Sequence, residues 1–541
     1  MGLRLTTGPG PEWTAELLTL NFADDWQSIE RGEARELLEQ QVLPAYLSGQ
    51  RWFASKGTGI KRAELKCRYI LPGRANNWLL AIFRAHLADG RSEDYFVPLA
   101  AAWDSSPSTP PQAGSHEAIV AIRNGNQSGT LMDALADPRF VVDLVHAVGD
   151  ETQLEGPSGN LRFSHTHVYF HLQQEDEQNI RKLGVEQSNS SILIAKKMVL
   201  KAYRKLERGI QPEMEMGRYL TDVANYGNTP PLLGSIEQFD SEGQPTALAI
   251  IQGFVPNHGD GWSFTLGHLG RVFDSILEGK VDKHGNGAYA ALAERLGIRV
   301  AELHQAFAIE SGDPAFEPAA IGAADVAGWK KQIQFEAETT FGLLANSESM
   351  LPPEQHARVQ ALLDHQNQIL GLIAGFELES GSELKKTRFH GDLHLGQVLV
   401  AGDDFYIIDF EGEPARPFAQ RRAKHSPLRD VAGMLRSLNY AAWSALFEAG
   451  AGDPEKIRSL EKSALDWELE SSSAFMRGYR KAIEGCASCP SDAGTFARLL
   501  DLFILEKALY EVRYELANRP SWLRIPVEGI MSLLARGPGR S

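Results

Sequence analysis

Cysteine is scarce in this chain, which has Cys67, Cys486 and Cys489 among its 541 residues. So few cysteines argue against a disulfide framework and are typical of proteins in the reducing cytoplasm. No apolar run reaches the roughly 18 residues that a membrane helix needs. The N-terminal stretch has too short an apolar segment for a secretory signal. We therefore expect a cytoplasmic protein without a membrane partner.

Positive charge is also in deficit, because 54 Lys and Arg stand against 70 Asp and Glu, a net charge of −16. An acidic chain binds the phosphate backbone of nucleic acids and anionic membrane surfaces poorly. The sequence therefore predicts no nucleic-acid partner. A small anionic ligand could still be held by a few local bases and a metal ion.

The chain has no internal repeat at the periods of solenoid proteins, and its 43% hydrophobic content is ordinary for a globular protein. Strand-like runs dominate the first half, and helical spacing dominates the second. This order predicts a two-lobe layout of class α+β. The predicted segments are an extension (1–25), a small α+β domain (26–104), a Pro- and Ser-rich linker (105–115), a β-rich region (116–255) and a mostly helical region (256–541).

One stretch of the helical half reads RFHGDLHLGQVLVAGDDFYIIDFEGEP, over residues 388–414. Two short strand-like runs, 397–402 and 405–409, flank a Gly-Asp-Asp turn signal and predict a hairpin. Asp392 lies in the loop that enters this hairpin, and Asp409 lies at its exit. Because hairpin pairing brings the two ends together, we expect both carboxylates to converge on one site.

Two converging carboxylates and an amide suit phosphoryl transfer, which needs a carboxylate for the attacking hydroxyl and oxygen ligands for Mg²⁺. We expect Asp392 to be the catalytic base and to contact the acceptor. Gln397 and Asp409 are the expected magnesium ligands, and Glu411 could reach a second ion or a water. Alone, each acid could be a turn residue or a strand cap, but their combination favours a site.

The motifs His-Gly-Asp-Leu-His-Leu-Gly-Gln and Ile-Asp-Phe-Glu resemble the catalytic and metal loops of protein-kinase-like sugar and aminoglycoside phosphotransferases. The resemblance is strongest to bacterial maltokinases, which use ATP to make maltose 1-phosphate and share the Gln at 397. Three more segments resemble that family: QRWFASKG (50–57), VEQSNSSILI (185–194) and LYEVRYELANRPSWLRIP (509–526). The resemblance implies a bilobal protein-kinase-like fold with a cap, a β-rich N-lobe and a mostly helical C-lobe, and implies ATP and Mg²⁺ as cofactors.

A kinase also needs groups for the nucleotide, although no G-x-G-x-x-G motif is present. Serine hydroxyls and turn amides between two strands can replace part of a glycine-rich loop. Lys201, on an alternating strand-like run, is the expected phosphate lysine, and Lys197 is the alternative. The residues expected around the phosphates are Ser188, Asn189, Ser190 and Ser191.

A predicted helix beginning at Pro212 carries acids in its first turn. Glu215 is expected to pair with Lys201, and Glu213 is the alternative. Further on, a strand runs into Gly253 and is expected to form the hinge that binds adenine through its backbone. The hinge residues are Gln252, Gly253 and Phe254.

The acceptor site is predicted on the C-terminal helical signature. Tyr510 and Tyr514 are four apart and share a helix face, with Glu511 on a neighbouring face. By resemblance this segment lines the maltose pocket, with contributions from Trp522 and Arg524. Ordinary packing between helices is the alternative explanation.

Two further residues are predicted to support the catalytic loop. His390 precedes Asp392 by two positions and is expected to brace the loop. Asp430 stands in Pro-Leu-Arg-Asp, where related kinases use an aspartate to hold the backbone of that loop.

Other functions stay open at this point. Related proteins with the same loops phosphorylate another sugar or an amino sugar such as glucosamine, and a non-catalytic kinase-like module is a further alternative. The extension LTTGPGPEWTAELLTLNFADDWQSI resembles the end of a trehalose synthase joined to a maltokinase. Trehalose synthase is therefore an expected fused or associated partner, in a route from trehalose through maltose 1-phosphate to α-glucan.

Overall fold

The chain divides into two compact units in its computed structural model. Unit 1 comprises Met1–Gln211 and Leu232–Phe254, and unit 2 comprises Pro212–Pro231 and Val255–Ser541. Among the helices that the structure describes, none is both long and apolar enough to cross a membrane. The described residues are 18–22, 26–29, 31–104, 117–184, 188–280, 285–347, 351–378, 383–414 and 416–536.

An eight-stranded sheet opens unit 1, in the order β1-β6-β7-β5-β3-β4-β13, with β2 also paired to β3. Its apolar face is buried under two short helices, α1 (Gly32–Leu37) and α2 (Leu43–Gly49), and forms one continuous core with them. The strands are β1 (Thr19–Phe22), β2 (Ile60–Pro72), β3 (Asn77–Leu87), β4 (Ser92–Phe96), β5 (Leu99–Trp103), β6 (Ala118–Asn124), β7 (Gln127–Asp133) and β13 (Lys205–Leu206).

This sheet extends past the predicted boundary between the cap and the β-rich region. Strands β6 and β7 come after the linker-like segment, yet β7 pairs with β5 and β6 pairs with β7. The segment 105–115 itself lies outside the described residues, as do 1–17 and 23–25 of the extension. The strands on either side of this segment, β5 and β6, belong to one sheet.

The second sheet of unit 1 has seven strands in the order β10-β11-β12-β15-β14-β9-β8. Helix α3 (Pro138–Gly149) packs on it, with Pro138 at its first position and Asp137 capping the amide of Arg139. The region predicted to be β-rich thus also contains a helix. The strands are β8 (Gln153–Gly156), β9 (Gly159–His165), β10 (Ile180–Lys182), β11 (Asn189–Ile194), β12 (Met198–Tyr203), β14 (Leu232–Phe239) and β15 (Pro245–Gly253).

Unit 2 is mostly helical around one large apolar core, with two short strand pairs, β16–β17 and β18–β19. The strands are β16 (Ala319–Ala320), β17 (Lys385–Lys386), β18 (Val398–Ala401) and β19 (Asp404–Ile407). The helices are α4 (Pro212–Asp222), α5 (Gly261–Leu277), α6 (Gly285–Ala306), α7 (Ala323–Ser347), α8 (Pro353–Asp364), α9 (Gln366–Ala374), α10 (Phe418–Arg421), α11 (Leu428–Gly450), α12 (Pro454–Ile483), α13 (Ala493–Asn518) and α14 (Arg524–Arg536).

Glycines let helices α6 and α12 approach closely. A Cβ placed on Gly297 would lie 2.0 Å from the carbonyl oxygen of Phe475, and one on Gly478 would lie 2.0 Å from that of Glu294. Each helix therefore presents a glycine to the backbone of the other, and this pair anchors the interior of unit 2.

We expect Gly478→Ala to destabilise unit 2 by about 1–3 kcal/mol, because the methyl group would force two helix backbones apart. Chemical unfolding followed by circular dichroism measures this change. The matched control is Gly342→Ala in the interior of α7, where an added Cβ meets nothing within 4 Å. That variant should be more stable by about 0.5–1 kcal/mol. Equal unfolding midpoints for the two variants would contradict the close approach.

Candidate active site

The hairpin predicted from the sequence forms and brings two predicted metal ligands together. Val398 pairs with Ile407, and the amide of Ile408 donates to the carbonyl of Gln397 at 3.0 Å. The pairing places Gln397 against Asp409, so that Gln397 Nε2 donates to Asp409 Oδ2 at 2.8 Å. Asp409 has a φ of +65°, a left-handed conformation that turns its carboxylate out of the strand direction.

The catalytic loop is held by a buried carboxylate in the first turn of α11. Asp430 accepts hydrogen bonds from the amides of His390, at 2.7 Å, and Gly391, at 2.9 Å. Burial would raise the pKa of Asp430, but the hydrogen bond and charge of His304, 3.2 Å away, hold it below its ordinary value. This geometry matches the bracing role expected of Asp430.

The ring of His390 connects the loop of Asp392, the predicted base, to the segment between β19 and Asp409. Its Nε2 donates to the carbonyl of Ile408 at 2.8 Å, which fixes the tautomer. Its Nδ1 is thereby an acceptor, and the amide of Asp392 donates to it at 3.3 Å. One imidazole therefore connects the predicted base to the predicted metal strand.

A lysine that sequence reasoning missed contacts the predicted base. Lys507 Nζ lies 3.4 Å from Asp392 Oδ1 and 5.2 Å from the ring centre of Tyr510. Burial would lower the pKa of Lys507, but Asp392, Glu511 and Glu413 together raise it above its ordinary value. The lysine is therefore charged at physiological pH. Its position three residues before Tyr510 on one helix was the signal available in the sequence.

A histidine also flanks Asp392. His394 Nε2 lies 4.0 Å from Asp392 Oδ2, while His394 Nδ1 accepts a hydrogen bond from the amide of Gly396 at 3.0 Å. Burial lowers the pKa of His394 despite the nearby carboxylate. Because Nδ1 accepts that hydrogen bond, the ring is neutral in this geometry, and Lys507 supplies the positive charge beside Asp392.

Three carboxylates of unit 2 form a cluster that suits a divalent cation. One ligand oxygen each from Glu213, Asp409 and Glu411 lies within 4.8 Å of the others. Glu213, on α4, is only 2% exposed. Carboxylate and amide oxygens are the ligands that Mg²⁺ prefers, so Gln397 beside Asp409 extends the set. Asp409 and Glu411 were expected here, whereas Glu213 was expected only as an alternative partner of the lysine.

Glu215 is engaged differently from its prediction. Its carboxylate receives Arg388 Nη1 at 2.7 Å and both Nη2 and Nε of Arg422 at 2.6 and 2.9 Å. Burial would raise the pKa of Glu215, but the two guanidinium groups hold it below its ordinary value. Two arginines of its own unit already neutralise this acid, which counts against a pairing with Lys201 and leaves Glu213 as the candidate.

The three residues of α13 that were predicted to contact the acceptor, Tyr510, Glu511 and Tyr514, differ in their surroundings. Tyr514 is 47% exposed, and Tyr510 lies beside Lys507, so both tyrosines offer ring surface. Glu511 is buried and bound by Arg436 Nη2 at 2.7 Å. This ion pair joins α13 to α11, and the expected contact of Glu511 with the acceptor stays a prediction.

Trp522 and Arg524 also have structural partners. Arg524 pairs with Glu461 and, at 2.7 Å, with Glu528. The guanidinium of Arg519 stacks over the ring of Trp522 at 4.2 Å. These contacts hold the C-terminal end of unit 2 together.

In unit 1, the predicted phosphate lysine lies inside the second sheet. Lys201 is buried on β12, where it is in register with Ser191 of β11 and Ile250 of β15. The alternative, Lys197, is more exposed and pairs with Asp176 at 2.9 Å. This difference favours Lys201.

The structure describes part of the polar segment that is predicted to contact the phosphates. Ser188 lies in a bend, and β11 begins at Asn189. Ser190 accepts a hydrogen bond from Arg204 Nε at 2.8 Å. Residues 185–187 lie outside the described part of the chain, so the loop as a whole stays a prediction.

The residues predicted to form the hinge lie at the end of β15. Gln252 and Gly253 end β15 in register with Val199 and Met198. The amide of Phe254 donates to the carbonyl of Lys197 at 2.8 Å. That amide is therefore used within the sheet, so a contact of Phe254 with adenine would come from its carbonyl.

Comparison with known proteins identifies relatives for both parts of the chain. The family model for the maltokinase N-terminal cap domain matches residues 46–137. A glucosamine kinase from Streptacidiphilus jiangxiensis is 26% identical over 356 residues, covering 65% of this chain and 73% of that protein. A glucosamine kinase from Mycolicibacterium smegmatis is 27% identical over 361 residues, covering 66% and 80%.

Solved structures agree on the fold. A glucosamine kinase in complex with glucosamine, ADP and inorganic phosphate aligns with a TM-score of 0.62 at 19% identity, over 95% of this chain and all of that one. A second crystal form of glucosamine kinase gives 0.61 at 20% identity, over 92% and 99%. The chain thus has a kinase-like α+β fold with an N-terminal cap, which confirms the predicted fold class.

Proposed function

We propose that this protein is an ATP-dependent sugar phosphotransferase whose catalytic base is Asp392. The observation that carries the proposal is the arrangement around the β18–β19 hairpin. Gln397 and Asp409 touch each other at its base, and His390 connects the loop of Asp392 to the same strand. Such a site can position an acceptor hydroxyl next to a metal-bound nucleotide. Phosphoryl transfer depends mainly on this positioning and on electrostatic stabilisation, and the protein need not form a covalent bond to the substrate.

Within unit 2 each residue has a proposed task. Asp392 orients the acceptor hydroxyl and takes its proton, while Lys507 keeps that carboxylate in place. Asp409, Glu411 and Gln397 would hold the metal, with Glu213 beside them. Bound Mg²⁺ would neutralise charge on the nucleotide phosphates. The γ-phosphoryl group then passes directly to the acceptor oxygen, without a covalent enzyme intermediate.

Unit 1 is proposed to supply the nucleotide contacts. Lys201 and the segment 188–191 are assigned to the phosphates, and the backbone of Gln252 and Gly253 to the adenine. The complex of a glucosamine kinase with ADP supports a nucleotide role for this fold. ATP and Mg²⁺ are the proposed cofactors.

We assign maltose as the acceptor and maltose 1-phosphate as the product. The match to the maltokinase cap supports this choice, and so does the pairing of charges near Asp392. Asp392 faces Lys507, Glu511 faces Arg436, and Glu413 faces Arg416. A protonated amino sugar would meet the charge of Lys507 and find these carboxylates engaged, whereas the hydroxyls of a neutral sugar need only hydrogen-bond partners.

A glucosamine kinase is the second candidate, because the curated relatives carry that name. The experiment is a panel of maltose, glucose, glucosamine and trehalose with ATP and Mg²⁺. Turnover of maltose alone would support the first proposal. Turnover of glucosamine alone would keep the mechanism and replace the acceptor, and no turnover of any sugar would contradict the kinase proposal. Maltose turnover would also fit a cytoplasmic route with trehalose synthase as the supplier.

We expect Lys507→Gln to shift the preference between acceptors. Removing the cation takes away repulsion of an ammonium group, so the ratio of kcat/KM for glucosamine to that for maltose should rise by about tenfold. Steady-state kinetics with both sugars measures the ratio. Lys462→Gln on α12, at an exposed lysine paired with Asp466, is the control. An unchanged ratio would exclude Lys507 as a determinant of acceptor charge.

A further inference from the structure

A second charged feature of unit 2 is a basic depression that the proposed mechanism does not use. It has a volume of about 610 Å³ and is lined by Lys386, Arg388, Arg422 and Lys424, with Asp325 as the acid in its wall. Four separate chain segments meet there, namely the loop after α6, the start of α7, β17 with its continuation, and the segment from α10 to Lys424.

Strand geometry explains why these cations share one face. The amide of Thr387 donates to the carbonyl of His425 at 3.0 Å, and the amide of His425 donates to that of Thr387 at 2.9 Å. Side chains alternate along paired extended segments, so Lys386, Arg388 and Lys424 lie opposite to Thr387 and His425. Thr387 is completely buried, and the ring of His425 stacks on Trp329 at 4.3 Å. Thr387 and His425 are therefore packed inside unit 2, and Lys386, Arg388 and Lys424 lie on the other side of the paired segments.

The contacting acids do not neutralise all four cations. Asp325 pairs with Lys386, and Glu215 is shared by Arg388 and Arg422. Lys424 Nζ donates to the carbonyls of Pro314 at 2.8 Å and Glu317 at 2.5 Å, and it has no carboxylate partner among the described residues. Two carboxylates thus contact three of the four cations, and in the part of the chain that the structure describes Lys424 is bound by carbonyl groups alone.

Two more acids stand nearby and are engaged elsewhere. Asp313 accepts a hydrogen bond from the amide of Ala315, and Glu317 accepts one from the amide of Gly312, each at 2.8 Å. They act on the depression through space only. Burial lowers the pKa of Lys424, and Arg388 lowers it further, which is the response of a cation that lacks a close counter-ion.

Arg388 is the deepest member of the set. Its side chain is 1% exposed and stacks over Phe316 at 5.0 Å, and its Nε and Nη2 have no hydrogen-bond partner in the described structure. Burial lowers the pKa of this guanidinium in spite of Glu215. Because these two donors are themselves buried, Arg388 would act on an anion in the depression through its charge.

We propose that this depression is a binding site for a phosphate-type dianion, either inorganic phosphate or the phosphate group of a small monoester. The guanidinium group of arginine has N–H donors at the spacing of phosphate oxygens, and the ammonium groups of lysines add positive charge around them. Lys386, Arg422 and Lys424 form the accessible contacts, and Arg388 provides the charge behind them. The proposal does not depend on the sugar kinase activity.

The test is calorimetric titration of the full chain at low ionic strength with inorganic phosphate and, separately, with glycerol 3-phosphate. Each titration is made with and without saturating ADP, so that binding at the nucleotide site is separated. We expect one saturable site that ADP does not block. Tighter binding of the monoester would assign the site to a metabolite, and equal binding would assign it to free phosphate.

Variants locate the site. Lys424→Gln and Lys386→Gln should each weaken phosphate binding by about tenfold or more, and Lys462→Gln on α12 should not. Turnover of the sugar panel serves as a check of folding, since neither lysine belongs to the proposed catalytic set. Affinity unchanged in both variants, or no ADP-insensitive binding in the wild type, would overturn the proposal. Either result leaves the proposed kinase function untouched.

Discussion

Asp392→Asn is expected to lower kcat for sugar phosphorylation by about 10³-fold or more, at the upper end of what general base catalysis contributes. The amide has nearly the shape of the carboxylate, but it cannot accept the proton of the acceptor hydroxyl. The supports of the loop do not involve this side chain, because Asp430 and His390 bind its backbone. ADP affinity should therefore be close to that of the wild type.

The control for this variant is Asp403→Asn, the same change at an exposed turn residue of the neighbouring hairpin. It should leave kcat within about twofold, since surface substitutions away from special contacts have small effects. Turnover is followed by release of ADP with maltose as acceptor. Near-normal turnover by Asp392→Asn would remove this residue from the chemistry and revive the non-catalytic module.

The hairpin of the candidate site could be predicted because its signals are local. Two short apolar runs and a Gly-Asp-Asp turn determine the pairing of Val398 with Ile407, and the pairing then places Asp409. Local periodicity also determined the helix that carries Tyr510 and Tyr514. Where the neighbours of a residue in the chain decide its position, the sequence is sufficient.

What the sequence could not show are the partners that come from distant elements. Glu213 and Glu215 stand two apart on one helix, and only Arg388 and Arg422 decide that Glu215 is the structural acid. Glu511 was expected at the acceptor because nothing in its own segment reveals Arg436, 75 positions away. Lys507 was missed for the same reason, since its contact with Asp392 joins segments that are 115 positions apart.

The extent of the first sheet could not be predicted for a related reason. A Pro- and Ser-rich segment is compatible with a linker and with a surface loop, and the choice depends on how the strands after it pair. Strand β7 continues the sheet through its pairing with β5, and the match of the cap family extends through this strand to residue 137. Composition alone contains no information about that pairing.

Asp409→Asn is expected to raise the Mg²⁺ concentration for half-maximal turnover by at least about 100-fold, because outer-shell partners of metals already contribute 10–100-fold. Asparagine tolerates the φ of +65° at this position, and its Oδ1 can still accept from Gln397 Nε2. The variant should therefore fold normally and lose one charge of the cluster with Glu213 and Glu411. Asp409→Ala separates the two effects, since it removes the charge and also strains the backbone. An unchanged Mg²⁺ dependence in Asp409→Asn, with normal unfolding, would place the metal elsewhere.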